Sequence, residues 1–111
     1  NSFALAAATV ALMDNDYIVK TKELNDAGMQ QFKMGLRSLG IGFIPSKGNF
    51  ICVNVATDAG RVFDALLQQG VITRPIGSYS LPQHLRISIG QTSENERCLN
   101  ALATTLELNY D

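Results

Sequence analysis

"GVITRPIGSYSLPQHLRISIGQTSENERCLNAL", residues 70–102, carries two periodicities, and the change between them sets the fold. Through "LRISI" the apolar residues alternate, with Leu85, Ile87 and Ile89 on one face and Arg86 with Ser88 on the other. That is the pattern of a strand with one side buried. A few residues later the spacing becomes helical, with Leu99, Leu102 and Leu106 as the buried stripe. Ser93 followed by Glu96 reads as the S-x-x-E capping box that opens this helix. Upstream, "VITR" predicts a brief strand, and the loop that follows is stiffened by Pro75 and Pro82.

Outward from this stretch the same reasoning places the remaining elements. Residues 58–69 predict a helix with Val62, Phe63, Leu66 and Leu67 apolar and Gly70 as its stop. "FIPS" and "NFICVNV" read as strands joined by a turn at Lys47 and Gly48. In the second, Ile51, Val53 and Val55 share one face and Phe50, Cys52 and Asn54 the other. Residues 3–13 predict an alanine-rich buried helix. Asp14 or Asp16 then caps a long second helix carrying Ile18, Leu24, Phe32, Leu36 and Leu39 and ending at Gly40. Gly28 inside that helix marks a kink or a close contact. The order is two helices, two strands, a helix, two strands and a helix. It predicts an α+β domain, a small mixed or antiparallel sheet with helices packed on it.

A chain of 111 residues makes about one domain. Nine basic against ten acidic residues leave a net charge of −1. This charge offers no broad footprint for nucleic acid or an anionic membrane, so any anion must be bound locally. The opening "NSFALAAATVALMD" lacks the basic start of a signal peptide, and no run approaches a membrane span. Cys52 and Cys98 fall inside apolar periodic segments without metal-ligand spacing, so they read as free thiols, which fits a cytoplasmic protein. The apolar pattern is already under way by Phe3, and the chain is expected to be cut from something longer.

Arg74 and Arg86 stand at the two ends of the proline-stiffened loop. Two readings remain open for them. Each is a solvated surface cation, or the constrained loop brings both to one pocket where their planar guanidinium forks hold a doubly anionic ligand or two anions. Tyr79 offers either a hydroxyl at the loop's centre or simple packing. His84 reads as a strand-edge residue rather than a base, since no carboxylate, Ser or Cys stands in a recognisable relation to it. The sequence thus contains anion holders but no nucleophile elbow, P-loop or metal motif.

"LGIGFIPSKGNFICVNV" (39–55) and "LLQQGVITRPIGSYSLPQHLRISIGQTSENERCLNAL" (66–102) closely resemble the carboxy-terminal small domain of the histidinol-phosphate aminotransferases. These are pyridoxal-phosphate enzymes of fold-type I. "NSFALAAATVALMDNDYI" resembles the family's segment leading into that domain, so the likeness spans the whole chain. The resemblance implies one small domain over residues 1–111, with 1–15 ending the link to a large domain that lies upstream.

In "HLRISIG" the resemblance assigns Arg86 as the clamp for the carboxylate of glutamate and 2-oxoglutarate. In "ITRP" it assigns Arg74 to the phosphate of histidinol phosphate, alongside Arg86. Asn49 of "GNF" falls at a position near the family's site, where an asparagine bracing a turn explains it as readily; Tyr79 matches the loop without a defined role. The Schiff-base lysine, the aspartate facing the pyridine nitrogen and the phosphate contacts of pyridoxal phosphate belong to the large domain. None of Lys20, Lys22, Lys33 and Lys47 lies in a matching motif. The implied partners are these small-molecule substrates, the large domain of the same chain and a second subunit of a homodimer; no catalytic residue or metal ligand is implied here, and the chain is expected to be inactive alone. The rival readings are a related aromatic aminotransferase, a threonine-phosphate decarboxylase of the same fold, and a non-catalytic ligand-binding or assembly module.

Overall fold

The computed structural model describes the backbone of residues 2–77 and 80–108 and the side chains of residues 19–77 and 80–108. Three helices and four strands follow the order α1 (Ser2–Leu39), β1 (Gly42–Pro45), β2 (Phe50–Asn54), α2 (Ala59–Gln68), β3 (Arg74–Ile76), β4 (Leu81–Ser88) and α3 (Thr92–Thr105). The strands form one antiparallel sheet in the order β1-β2-β4-β3, so the predicted α+β architecture holds.

The helices pack on one side of the sheet. Ile51, Val53, Leu85 and Ile87 send their side chains there and are buried among Phe32 and Leu36 of α1, Leu66 of α2, and Leu99 and Leu102 of α3. Alternation within β2 and β4 accounts for this choice, because a one-residue slip would turn every one of those aliphatics to the other side.

Several expectations are corrected. The two predicted opening helices are one continuous α1, with neither Asp14 nor Asp16 starting a new element. Nothing between residues 13 and 17 is glycine or proline, and a helix already running propagates through aspartate at small cost. Leu24, expected on the buried stripe, is exposed, whereas Phe32, Leu36 and Leu39 are buried as expected. Ile18 has no described side chain. Gly28 marks a close contact in an unbroken helix: a Cβ there would lie 2.5 Å from Ile89 Cγ2 and 2.8 Å from Asn95 Nδ2.

"VITR" is not a strand. The amide of Val71 donates to Leu66 O at 2.9 Å, which ties it to the end of α2, and pairing begins only at Arg74. The strand then includes Pro75, which a sheet tolerates at an edge. Finally, α3 starts earlier than the Ser93 box. Gln91 is its N-cap, and Glu94 Oε1 accepts the Gln91 amide at 3.0 Å. Leu106 lies past the helix and is only half-buried.

At the other helix ends the expected stops hold, with Gly70, at φ +79°, following α2 and Gly40 following α1, and the structure adds a cap. Asp58 Oδ2 accepts the amide of Arg61 at 3.1 Å to open α2. Gly40, at φ +74°, closes α1 while Ile41 donates to Leu36 O at 2.9 Å, a conformation that costs a residue with a Cβ about 1 kcal/mol or more.

Candidate functional site

On the sheet face away from the helices the two arginines meet. Arg74 of β3 pairs directly with Arg86 of β4, and both are exposed. Like charges placed opposite each other across a strand pair disfavour the pairing unless an anion lies between them. Among the described residues neither guanidinium is hydrogen-bonded or paired with a carboxylate. Together with Ile72, Thr73 and Ser88 they line a cavity of about 290 Å³.

Sheet register creates this meeting. Arg86 takes the outward position because Leu85 and Ile87 take the inward ones. Arg74 arrives opposite through the short β3 segment, whose register with β4 then shifts between Pro75 and Ile76. The loop's prolines thus fall within strands, Pro75 opposite Leu85 in β3 and Pro82 near the start of β4.

Phe50 was not anticipated at this site. Its ring centroid lies 5.3 Å from Arg86 Cζ, a cation–π contact that restrains the guanidinium. The two residues stand diagonally, since Cys52 is Arg86's direct partner and Ser88 is that of Phe50. Alternation in "NFICVNV" placed Phe50 on the outer face, but only the β2–β4 register puts it beside Arg86.

The end of β4 is held by a buried amide. Asn95, 1% exposed, accepts the Gly90 amide at 2.8 Å through Oδ1 and donates through Nδ2 to Gly90 O and Gln31 Oε1, each at 3.0 Å. Gln31 in turn donates to Thr92 O at 3.0 Å. The corner between the arginine-bearing strand and α3 is therefore pinned to α1.

Asn49 does not join the arginines. Its carbonyl accepts the Ile89 amide at 2.7 Å, and it lines a separate cavity of about 680 Å³ with Lys22, Asn25, Lys47 and Glu94. Tyr79 lies outside the described residues. His84 is interior to β4, opposite Asn54, rather than at a sheet edge, and its buried Nδ1 has no partner among the described residues. Lys20, Lys22 and Lys47 are exposed and Lys33 half-buried, and none lines the arginine cavity.

Both cysteines are free, with Cys52 half-buried on the outer face and Cys98 buried, where desolvation pushes its thiol from 9.0 up to about 12. Among the described residues no group of three or more His, Cys, Asp or Glu could hold a metal ion, and no helix is long and apolar enough to cross a membrane.

Comparison with known proteins adds ancestry to this geometry. Residues 1–102 match the family model of aminotransferase class I and II. Two proteins named histidinol-phosphate aminotransferase 2, from Pseudomonas fluorescens (strain Pf0-1) and Pseudomonas aeruginosa, are 52% and 54% identical to this chain over 106 residues. The match covers 96% of this chain and 29% of each relative, so the chain spans under a third of their length. The crystal structure of histidinol-phosphate aminotransferase from Sinorhizobium meliloti in complex with pyridoxal-5'-phosphate superposes with a TM-score of 0.76 at 26% identity, covering 87% of this chain and 28% of that one. N-succinyldiaminopimelate aminotransferase from Mycobacterium tuberculosis shares the fold at a TM-score of 0.70 and 14% identity, covering 83% of this chain and 27% of its own. With sheet, helices and sequence in agreement over nearly every residue, the chain belongs to the class I and II aminotransferases.

Proposed function

We propose that this chain is the substrate-anion-binding small domain of a pyridoxal-phosphate aminotransferase. The enzyme interconverts histidinol phosphate and 2-oxoglutarate with imidazole-acetol phosphate and glutamate. The observation that carries the reading is the direct pairing of Arg74 with Arg86 on one open sheet face, with no carboxylate between them among the described residues. Identity above 50% to proteins named histidinol-phosphate aminotransferase supports the choice of substrate.

Arg86 holds the carboxylate of glutamate in one half-reaction, and Arg74 joins it on the phosphate of histidinol phosphate in the other. Phe50 keeps the Arg86 fork in place, so less freedom is lost when either anion binds. Charge-assisted contacts of this kind contribute about 1.5–3 kcal/mol each. Fixing the anionic end of the substrate orients its reacting carbon.

Pyridoxal phosphate supplies the electron sink in such an enzyme. The described residues form no cradle for it, because the lysines stand apart from the arginine cavity and three of the four are exposed. We assign the cofactor to a large domain of the same longer chain, and the working enzyme to a cytoplasmic homodimer. Asn49 serves the turn beside Gly48, and the chain by itself does not transaminate.

The test is a transaminase assay of the full-length enzyme with 2-oxoglutarate as acceptor, comparing histidinol phosphate with phenylalanine, with and without Arg74→Ala. Preference for histidinol phosphate that disappears in the variant supports the reading. Equal use of phenylalanine, indifferent to Arg74, assigns the domain to an aromatic aminotransferase instead.

A further inference from the structure

One step past the last β1–β2 pair, Pro45 with Ile51, stand Ser46 and Phe50, joined by the turn of Lys47, Gly48 and Asn49. The half-buried Ser46 hydroxyl donates its one proton to Phe50 O at 2.6 Å and accepts the Gly48 amide at 3.1 Å. A single side chain thus closes the turn. Asn25 of α1 adds a further hold, its Nδ2 donating to Gly48 O at 3.3 Å.

The Phe50 ring stands against this turn: a Cβ at Gly48 would lie 3.5 Å from its Cε1 and 3.6 Å from its Cδ1. The same ring has Arg86 Cζ 5.3 Å from its centroid. Contacts therefore run without a gap from the Ser46 hydroxyl, through the turn and the ring, to the guanidinium.

We infer that Ser46 is a positioning residue for the anion clamp: its hydroxyl fixes the turn, the turn fixes the Phe50 ring, and the ring restrains the Arg86 fork before an anion arrives. A serine and a glycine at a tight connection are ordinarily explained by the turn alone. Here the ring extends their reach, because it touches the turn and the clamp together. Arginine loses rotamer freedom when a ligand immobilises it, and a restraint already present in the free protein lowers that cost. With the anion bound, the fork takes the same geometry whether or not the brace is there, so the loss falls on binding and not on the chemical step. The inference rests on the reading of Arg86 as the substrate clamp.

The test is the single-turnover half-reaction of the full-length, cofactor-loaded enzyme with glutamate, which needs no second substrate and yields an apparent Kd and a limiting rate. Ser46→Ala is expected to weaken glutamate about two- to fivefold, the range a cation–π restraint can transmit, with the limiting rate held within about twofold. Ser46→Thr, which keeps the hydroxyl, restores wild-type affinity. Phe50→Leu weakens glutamate by at least as much as Ser46→Ala, and adding Ser46→Ala to it changes affinity by less than about 1.5-fold, because the path to Arg86 is already cut. Unchanged affinity in Ser46→Ala, a limiting rate that falls as far as affinity does, or an effect that persists in full beside Phe50→Leu overturns the inference.

Arg86→Ala separates the two levels. If it weakens glutamate and Ser46→Ala does not, the inference falls and the functional reading stands. If Arg86→Ala leaves glutamate affinity unchanged, the clamp itself falls and the inference falls with it.

Discussion

The two faces of the sheet are built from the same two strands and obey opposite rules. On the helix side, Ile51, Val53, Leu85 and Ile87 are each exposed by 3% or less and meet other aliphatics. On the open side, the alternate residues of those strands include Phe50, Cys52, Arg86 and Ser88, and the neighbouring strand adds Arg74. One face spends its side chains on excluding water, and the other keeps two cations that have no carboxylate or hydrogen-bond partner among the described residues. The difference teaches where to look for stability and where for binding: the first belongs to the inward alternation and the second to the outward one.

The strongest way to break this division is to exchange the consequences. Leu85→Ala is expected to cost about 2–5 kcal/mol of folding stability, measured by urea denaturation, while leaving substrate affinity in the surviving folded enzyme within about twofold. Arg86→Ala, one residue away, is expected to do the reverse. Apparent affinity for both glutamate and histidinol phosphate falls roughly 10- to 100-fold, with unfolding stability unchanged within about 0.5 kcal/mol. Unchanged kinetics in Arg86→Ala would remove the clamp from the proposal.

A smaller effect sharpens the comparison at the seam between α1 and the β4–α3 corner. Gly28→Ala improves helix propensity by about 1 kcal/mol but drives a Cβ into Ile89 and Asn95. Overpacking is expected to win and destabilise by about 1–2 kcal/mol net. A gain in stability would mean that this corner is looser than the contacts indicate.

The cysteines give the mildest probe, one on each side of the division. Cys52, on the open face, should be alkylated by iodoacetamide at pH 8 well before Cys98, whose thiol is pushed up to about 12 by burial. The same burial has a stability consequence. Because the folded-state value lies above the unfolded 9.0, the contribution is complete below pH 9 and is lost as pH rises toward 12. By pH 9.5 the loss stays under about 1 kcal/mol, measurable as a shift in the denaturation midpoint that Cys98→Ala should abolish. Equal labelling of both thiols would contradict the burial of Cys98.

Alternation made much of this legible beforehand. "LRISI" and "NFICVNV" assigned both faces correctly, and Arg86 stands out in the sequence because, with Arg74, it marks an end of the proline-stiffened loop. Local chemistry failed where two signals competed. Asp14 and Asp16 looked like a cap because aspartate favours that role, yet the helix ran through them. Ser93 with Glu96 matched the spacing of a capping box, but Gln91 and Glu94 hold the end of α3. "VITR" has strand composition, and the α2 end claims the amide of Val71 first.

The sequence by itself determined the α+β class, the inward and outward sets of β2 and β4, and the presence of two arginines near a constrained loop. The class and the two face assignments depend on periods of two and 3.6 written in the local order of the residues. Only the tertiary structure decided that Arg74 lies opposite Arg86 and that the Phe50 ring lies beside the Arg86 guanidinium. Each of those facts joins residues from different segments, and strand register, which fixes them, is set by the packing of the whole sheet on its helices.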